Sequence, residues 1–163
     1  MINSTITKPG KCYHTKFSFG ASSALITNLG LIVGLVAGNN AKLNIIGGIL
    51  VVALADNISD SFGIHMYQES DNRNHKDLWL STFSNFLARI LVSFSFVFII
   101  MFFSITSAVI ISIIWGIILL MLMSYLIAKN NQTNIIKAIF EHLSIAAVVI
   151  VASHFVGRLI LNR

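Results

Sequence analysis

Long apolar runs separated by short polar stretches make up most of this chain. They cover about residues 20–38, 43–67, 78–104, 106–128 and 135–161. A helix that crosses the hydrocarbon core of a bilayer needs roughly 20 mostly apolar residues. Each run approaches or exceeds that length. The pattern therefore predicts an all-α protein, a polytopic transmembrane helical bundle of about five spans. The third and fourth runs are nearly continuous and break only around Ser104–Ser107, which predicts a tight hairpin. The one proline, Pro9, precedes the spans, so no span should be kinked by proline. Residues 1–19 read as a polar leader, and 20–163 as a single transmembrane domain. The leader lacks a continuous apolar segment, so the first span is expected to act as an uncleaved signal anchor.

Composition agrees with this pattern. Hydrophobic residues make up 56% of the 163-residue chain and charged residues only 10%, against about a quarter charged in soluble domains. A soluble fold of this size has too little interior for so much apolar surface, whereas lipid can cover it. The formal net charge is +5, but the cations are dispersed between apolar runs and form no basic face. That argues against a nucleic-acid partner and for orientation by lipid and membrane insertion. Lys8, Lys11 and Lys16 of the leader, Arg73 and Lys76 after the second run, and Lys129 and Lys137 after the fourth fall on one side of a five-span topology. The other side has Lys42, Arg158 and Arg163. The cationic side should be the cytoplasm, which puts the N-terminus inside and the C-terminus outside. Cys12 is the single cysteine, so neither an intrachain disulfide nor a CxxC metal site exists.

The polar residues inside the runs carry any chemistry. In the second run Asp56 and Asp60 are four apart and stack on one helix face. Gly63 and Tyr67 continue that face, and Asn57, Ser61 and His65 lie to one side of it. Carboxylates in hydrocarbon are expensive and mark functional positions. Two of them side by side repel, and either a bound cation or a nearby arginine relieves this. Aspartate oxygens suit hard or borderline divalent cations, which makes Asp56 and Asp60 the candidate metal ligands. Arg89 lies about eleven residues into the third run, roughly 16 Å down by helical rise, at a depth similar to Asp56. It is a candidate structural charge partner. Asn57, Glu141 and His142 join the two aspartates as candidates for an ion pathway, with snorkelling to the boundary as the alternative for Glu141. His154 and Trp79 fit interfacial positions, and Trp115 fits packing. Gly30, Gly34 and Gly38 recur once per turn and offer a packing face for another helix, within the protomer or across a dimer. No phosphate-binding loop, nucleophile elbow or HExxH motif is present. The two aspartates share one helix, which suits a binding ladder better than a protease dyad. The chain is not expected to be an enzyme.

The segment Leu35–Gly38, a short turn, and then GGILVVALADNISDSFGIHMYQESD resembles the vacuolar iron transporter (VIT) family. Gly47–Gly48, Ala53–Leu54, Gln68–Glu69 and the closing Gly157–Arg158 fall in places that correspond to that family's pattern. The resemblance covers about residues 22–70 and 120–161. It departs from the pattern in four ways: Thr27–Leu29 has no acid where the family has Asp-Gly, Asp56 stands for a metal-lining Met, only about Ser70–Asp77 replaces a long cytoplasmic insert, and the family's prolines in the third span are missing. The resemblance implies five spans, a cytoplasmic N-terminus and a homodimer. It also implies transport of a divalent metal such as iron or manganese out of the cytoplasm by proton exchange, with the metal as substrate and no permanently bound cofactor. A bacterial or archaeal plasma membrane is the expected location. The competing reading is a membrane scaffold or assembly protein in which an Asp–Arg pair is structural.

Overall fold

The computed structural model describes residues 9–70 and 75–161, with side chains from residue 20 onward apart from residue 77. Lys8, Arg73 and Arg163, used above for orientation, lie outside the described residues, as do the side chains of Lys11, Cys12 and Lys16. Five helices follow one another: α1 (Pro9–Leu35), α2 (Ala41–Ser70), α3 (His75–Phe102), α4 (Ile105–Asn131) and α5 (Ile135–Leu161). Four of them, α2 to α5, are long and apolar enough to cross a membrane, and α1 contributes the shorter apolar segment Gly20–Leu35. The protein is an all-α bundle of membrane-spanning helices.

Helix α1 as described runs from Pro9, so its first turns fall in the polar stretch ahead of the first apolar run. The turn between α3 and α4 comes at Phe103–Ser104, at the start of the expected break. The helix restarts at Ile105, while Ser104 Oγ donates to Ser107 Oγ at 3.1 Å.

α1 is the central helix and packs against each of the other four. Small residues make this possible. Gly20, Ala21, Ser22 and Ala24 are all buried, and Gly30 and Gly34 lie against Val149 and Ser153 of α5. The approach is closest at Gly157, where an added Cβ would overlap the Gly34 carbonyl oxygen. The glycine face of α1 is thus a packing face within the protomer. Gly38 lies just past the end of α1, but it still backs onto Leu161. α4 buries a stripe at strict four-residue spacing, Ala108, Ser112, Gly116, Leu120, Ser124 and Ala128, and Gly116 meets Leu29 of α1. The apolar core gathers Leu25, Leu29, Ile32, Ile45, Ile49, Phe96 and Ile100 around α1.

The two ends of the bundle are distinct. Lys42, at the start of α2, donates its Nζ to the Met101 and Phe103 carbonyls at 2.9 and 3.3 Å. These are free carbonyls at the end of α3, and a cation complements them. At the opposite end Ser81 of α3 donates to Gln68 of α2 at 2.6 Å, and Gln132, with φ 55°, closes α4 in the left-handed region. Lys76, Lys129 and Lys137 sit at that second end.

Candidate functional site

The centre of α2 and the centre of α3 meet at Asp56, Asp60 and Arg89. α3 presents Arg89 because its buried face runs Leu78, Ser81, Asn85, Ala88, Arg89, Ser93 and Phe96, at three- and four-residue steps. α2 answers with Ile45, Ile49, Ala53, Asn57, Ser61 and Gln68. Asp56 and Asp60 stand beside that face, at its edge.

Arg89 is 1% exposed, and its guanidinium is held from two other helices, α1 and α2. Nε donates to Asn57 Oδ1 at 2.6 Å and one terminal nitrogen donates to Asp56 Oδ2 at 2.5 Å. The other terminal nitrogen donates to Asp60 Oδ2 and, at 3.1 Å, to Ser23 Oγ of α1. Four of the five N–H donors of an arginine are engaged in this way. A buried arginine is tolerated where it is paired and hydrogen-bonded, and charge-assisted bonds of this kind are the strong ones.

The carboxylates are placed differently. The Asp56 and Asp60 side chains are 41% and 40% exposed on the outer side of the protomer. Each uses Oδ2 on Arg89. Two carboxylates against one guanidinium leave one formal negative charge at mid-height of the helices. A shallow cleft of about 440 Å³ opens beside it, lined by Ser59, Asp60, Gly63, Ile64 and Tyr67.

The remaining candidates do not converge on this cluster. His142 is on α5, with Nδ1 2.8 Å from Ser124 Oγ of α4, and Glu141 is exposed. α5 packs on α1 and α4, while α2 packs chiefly on α3, so the structure does not bring Glu141 and His142 to the two aspartates. Asn57 does belong to the cluster, as a ligand of Arg89. His65 Nδ1 lies 3.4 Å from Thr82 Oγ1, and its ring sits tilted against Trp79 with centroids 4.7 Å apart. His154 is exposed beside Phe155, and Trp115 donates to Ser95 Oγ at 3.2 Å. Among the described residues no group of three or more His, Cys, Asp or Glu could hold a metal ion. Asp56 and Asp60 each accept from Arg89 through Oδ2.

Sequence reading missed Ser23, Asn28, Asn85 and Ser93. Asn28 Nδ2 donates to Ser93 Oγ at 3.0 Å, one turn from Arg89, and Asn85 Nδ2 donates to Ser61 Oγ at 3.3 Å. A signal existed: Ser81, Asn85, Arg89 and Ser93 recur every four residues in an otherwise apolar span.

These features define the class, an integral membrane helical bundle with a charged cluster at mid-height. Comparison with protein-family models, with curated proteins and with solved structures gives no match.

Proposed function

We propose that this membrane protein is a small cation transporter, similar in plan to the VIT family, and that Asp56 and Asp60 hold the cation in passage. The observation that carries the reading is the charge imbalance: two half-exposed carboxylates share one fully buried guanidinium. An uncompensated charge at this depth is costly and marks a functional position. Arg89 occupies Oδ2 of each aspartate, which leaves Oδ1 of each for a hard or borderline cation. The VIT resemblance supplies the substrate class, a divalent metal such as iron or manganese, moved out of the cytoplasm by proton exchange across a bacterial or archaeal plasma membrane. Two oxygens are too few for such an ion. A homodimer that apposes two clusters would bring the rest, and its two residual negative charges equal the charge of one divalent ion.

Proteoliposomes loaded with a metal-sensitive dye test this directly. Wild type should take up Mn²⁺ or Fe²⁺, and Asp56→Asn and Asp60→Asn should each slow uptake about tenfold or more, the loss of one charged ligand at 1.4 kcal/mol per decade. Equal uptake by empty liposomes and wild type, or by wild type and both variants, would refute it. One observation favours a second reading, an assembly protein with a structural lock: the four hydrogen bonds on Arg89 fix α1, α2 and α3 in register. Under that reading Arg89→Asp combined with Asp60→Arg restores every property that either single change destroys. A transport site would regain stability in the double variant without regaining uptake.

A further inference from the structure

The interface between α1, α2 and α3 is polar along one half of its length and apolar along the other. On α2 the buried face changes from Ile45, Ile49 and Ala53 to Asn57, Ser61 and Gln68. On α3 it changes from Ser81, Asn85, Arg89 and Ser93 to Phe96, Val97 and Ile100. α1 contributes Ser23 and Asn28 to the polar half, alongside the buried apolar Ala21, Ala24 and Leu25. The α2 and α3 transitions lie within about two turns of Arg89. The polar half runs from the Gln68–Ser81 contact, at the α2–α3 connection, to the Asn28–Ser93 contact. By helical rise the distance from Ser81 to Ser93 is roughly 18 Å.

Three side chains in this half are not satisfied. Asn28 Oδ1, Asn57 Nδ2 and Asn85 Oδ1 are buried and have no hydrogen-bond partner among the described residues. Asn28 and Asn57 are 1% exposed and Asn85 is 0% exposed. Two of these atoms accept and one donates, on three different helices. Leaving such a group unpaired is costly, and proteins meet such needs with internal water that makes about three hydrogen bonds. Gly20 packs directly against Asn85, whose side chain and carbonyl occupy the place a Cβ would take. Water reaching mid-height also lowers the cost of a buried arginine.

We infer that the α1–α2–α3 seam is a one-sided hydrated pocket, a binding site for a file of water molecules that enters at the Gln68–Ser81 end, passes Arg89 and stops at Asn28 and Ser93. The layer of Ile45, Ile49, Phe96 and Ile100 closes it from the other side. This inference does not depend on transport: an assembly protein with this seam would hold the same water.

The test uses single cysteines in a Cys12→Ser background, embedded in sealed vesicles of known orientation. Ag⁺, close to water in size, is added from one side, and unreacted thiol is then counted with a maleimide after denaturation. Ser81→Cys and Ser61→Cys line the polar half and are near-isosteric changes. Ala53→Cys lies on the same face of α2, one turn past Asn57, in the apolar half. From the side of the α2–α3 connection, Ser61→Cys and Ser81→Cys should react at least about tenfold faster than Ala53→Cys, since thiol reactivity follows access. From the opposite side all three should be slow. The inference is overturned if the two seam positions react no faster than Ala53→Cys, as in a dry polar interface, or if Ser61→Cys reacts equally from both sides. Ser93→Cys, at the inner end of the seam, repeats the comparison if Ser61→Cys does not fold.

Discussion

The charge count of the cluster makes an unusual stability prediction. With both aspartates ionised and Arg89 charged, the formal total is −1. Asp56→Asn or Asp60→Asn brings it to zero. Such a variant loses one charge-assisted hydrogen bond, about 1.5–3 kcal/mol, but it also removes the repulsion between two carboxylates one turn apart and one unneutralised charge at mid-height, about 2.5–3.5 kcal/mol on insertion scales. The two effects nearly cancel, so each single Asn variant should stay within about 1 kcal/mol of wild type. Arg89→Gln takes the total to −2 and strips both carboxylates of their partner. Breaking a buried pair in this way costs about 3–5 kcal/mol. Asp56→Asn combined with Asp60→Asn leaves Arg89 buried at +1 and should cost a similar amount. Adding Arg89→Gln to that double variant should recover part of the loss. Reversible unfolding in bicelles or nanodiscs, read as a free energy for each variant, checks the order. If Arg89→Gln is no more harmful than Asp60→Asn, the cluster is not held by charge and the reasoning fails.

Further outcomes follow from single contacts. Gly157→Ala drives a Cβ into the Gly34 carbonyl, and backbone cannot swing aside, so α1 and α5 must part; a loss of about 3 kcal/mol or a failure to fold is expected in the same unfolding assay. Gly47→Ala meets nothing within 4 Å, and the same assay should show no loss or a gain of up to about 1 kcal/mol from helix propensity. Lys42→Met removes the cap on the Met101 and Phe103 carbonyls and should cost about 1 kcal/mol, with faster hydrogen exchange in the last turn of α3. Glu141→Gln changes an exposed carboxylate remote from the cluster, and both stability (within about 0.5 kcal/mol) and metal uptake should match wild type.

The fold was largely legible because span length is a physical constant of the bilayer: runs of roughly 20 apolar residues have one economical structure. The pairing of Asp56 and Asp60 with Arg89 was legible from depth alone, since adjacent antiparallel spans place equal distances from a shared turn at equal height. What surrounds Arg89 was not. Ser23 and Asn28 come from α1, and depth along one hairpin says nothing about a third helix. The central position of α1 was equally hidden. In water the buried helix is the apolar one; in lipid every helix is apolar, and burial goes to the helix whose small residues allow close approach. Gly20, Ala21, Ala24, Gly30 and Gly34 carried that information, and so did the Ala108-to-Ala128 stripe of α4.

The same logic explains why the charged cluster lies at the edge of the protomer instead of its centre. α1 holds the middle of the bundle, with backbone against α5 at Gly34–Gly157 and the apolar Leu29 side chain against Gly116 of α4. Arg89 reaches in from α3 and is buried by α1, but the aspartates that neutralise it are on α2, which packs chiefly on α3 and leaves much of its own surface uncovered. The arginine is therefore satisfied inside, while the surplus negative charge is presented outside, beside Ser59 and Gly63, where small side chains let another group come near. Moving that surplus inward would require a larger residue-free space beside α1, which Gly30, Gly34 and Gly116 have already filled with neighbouring helices.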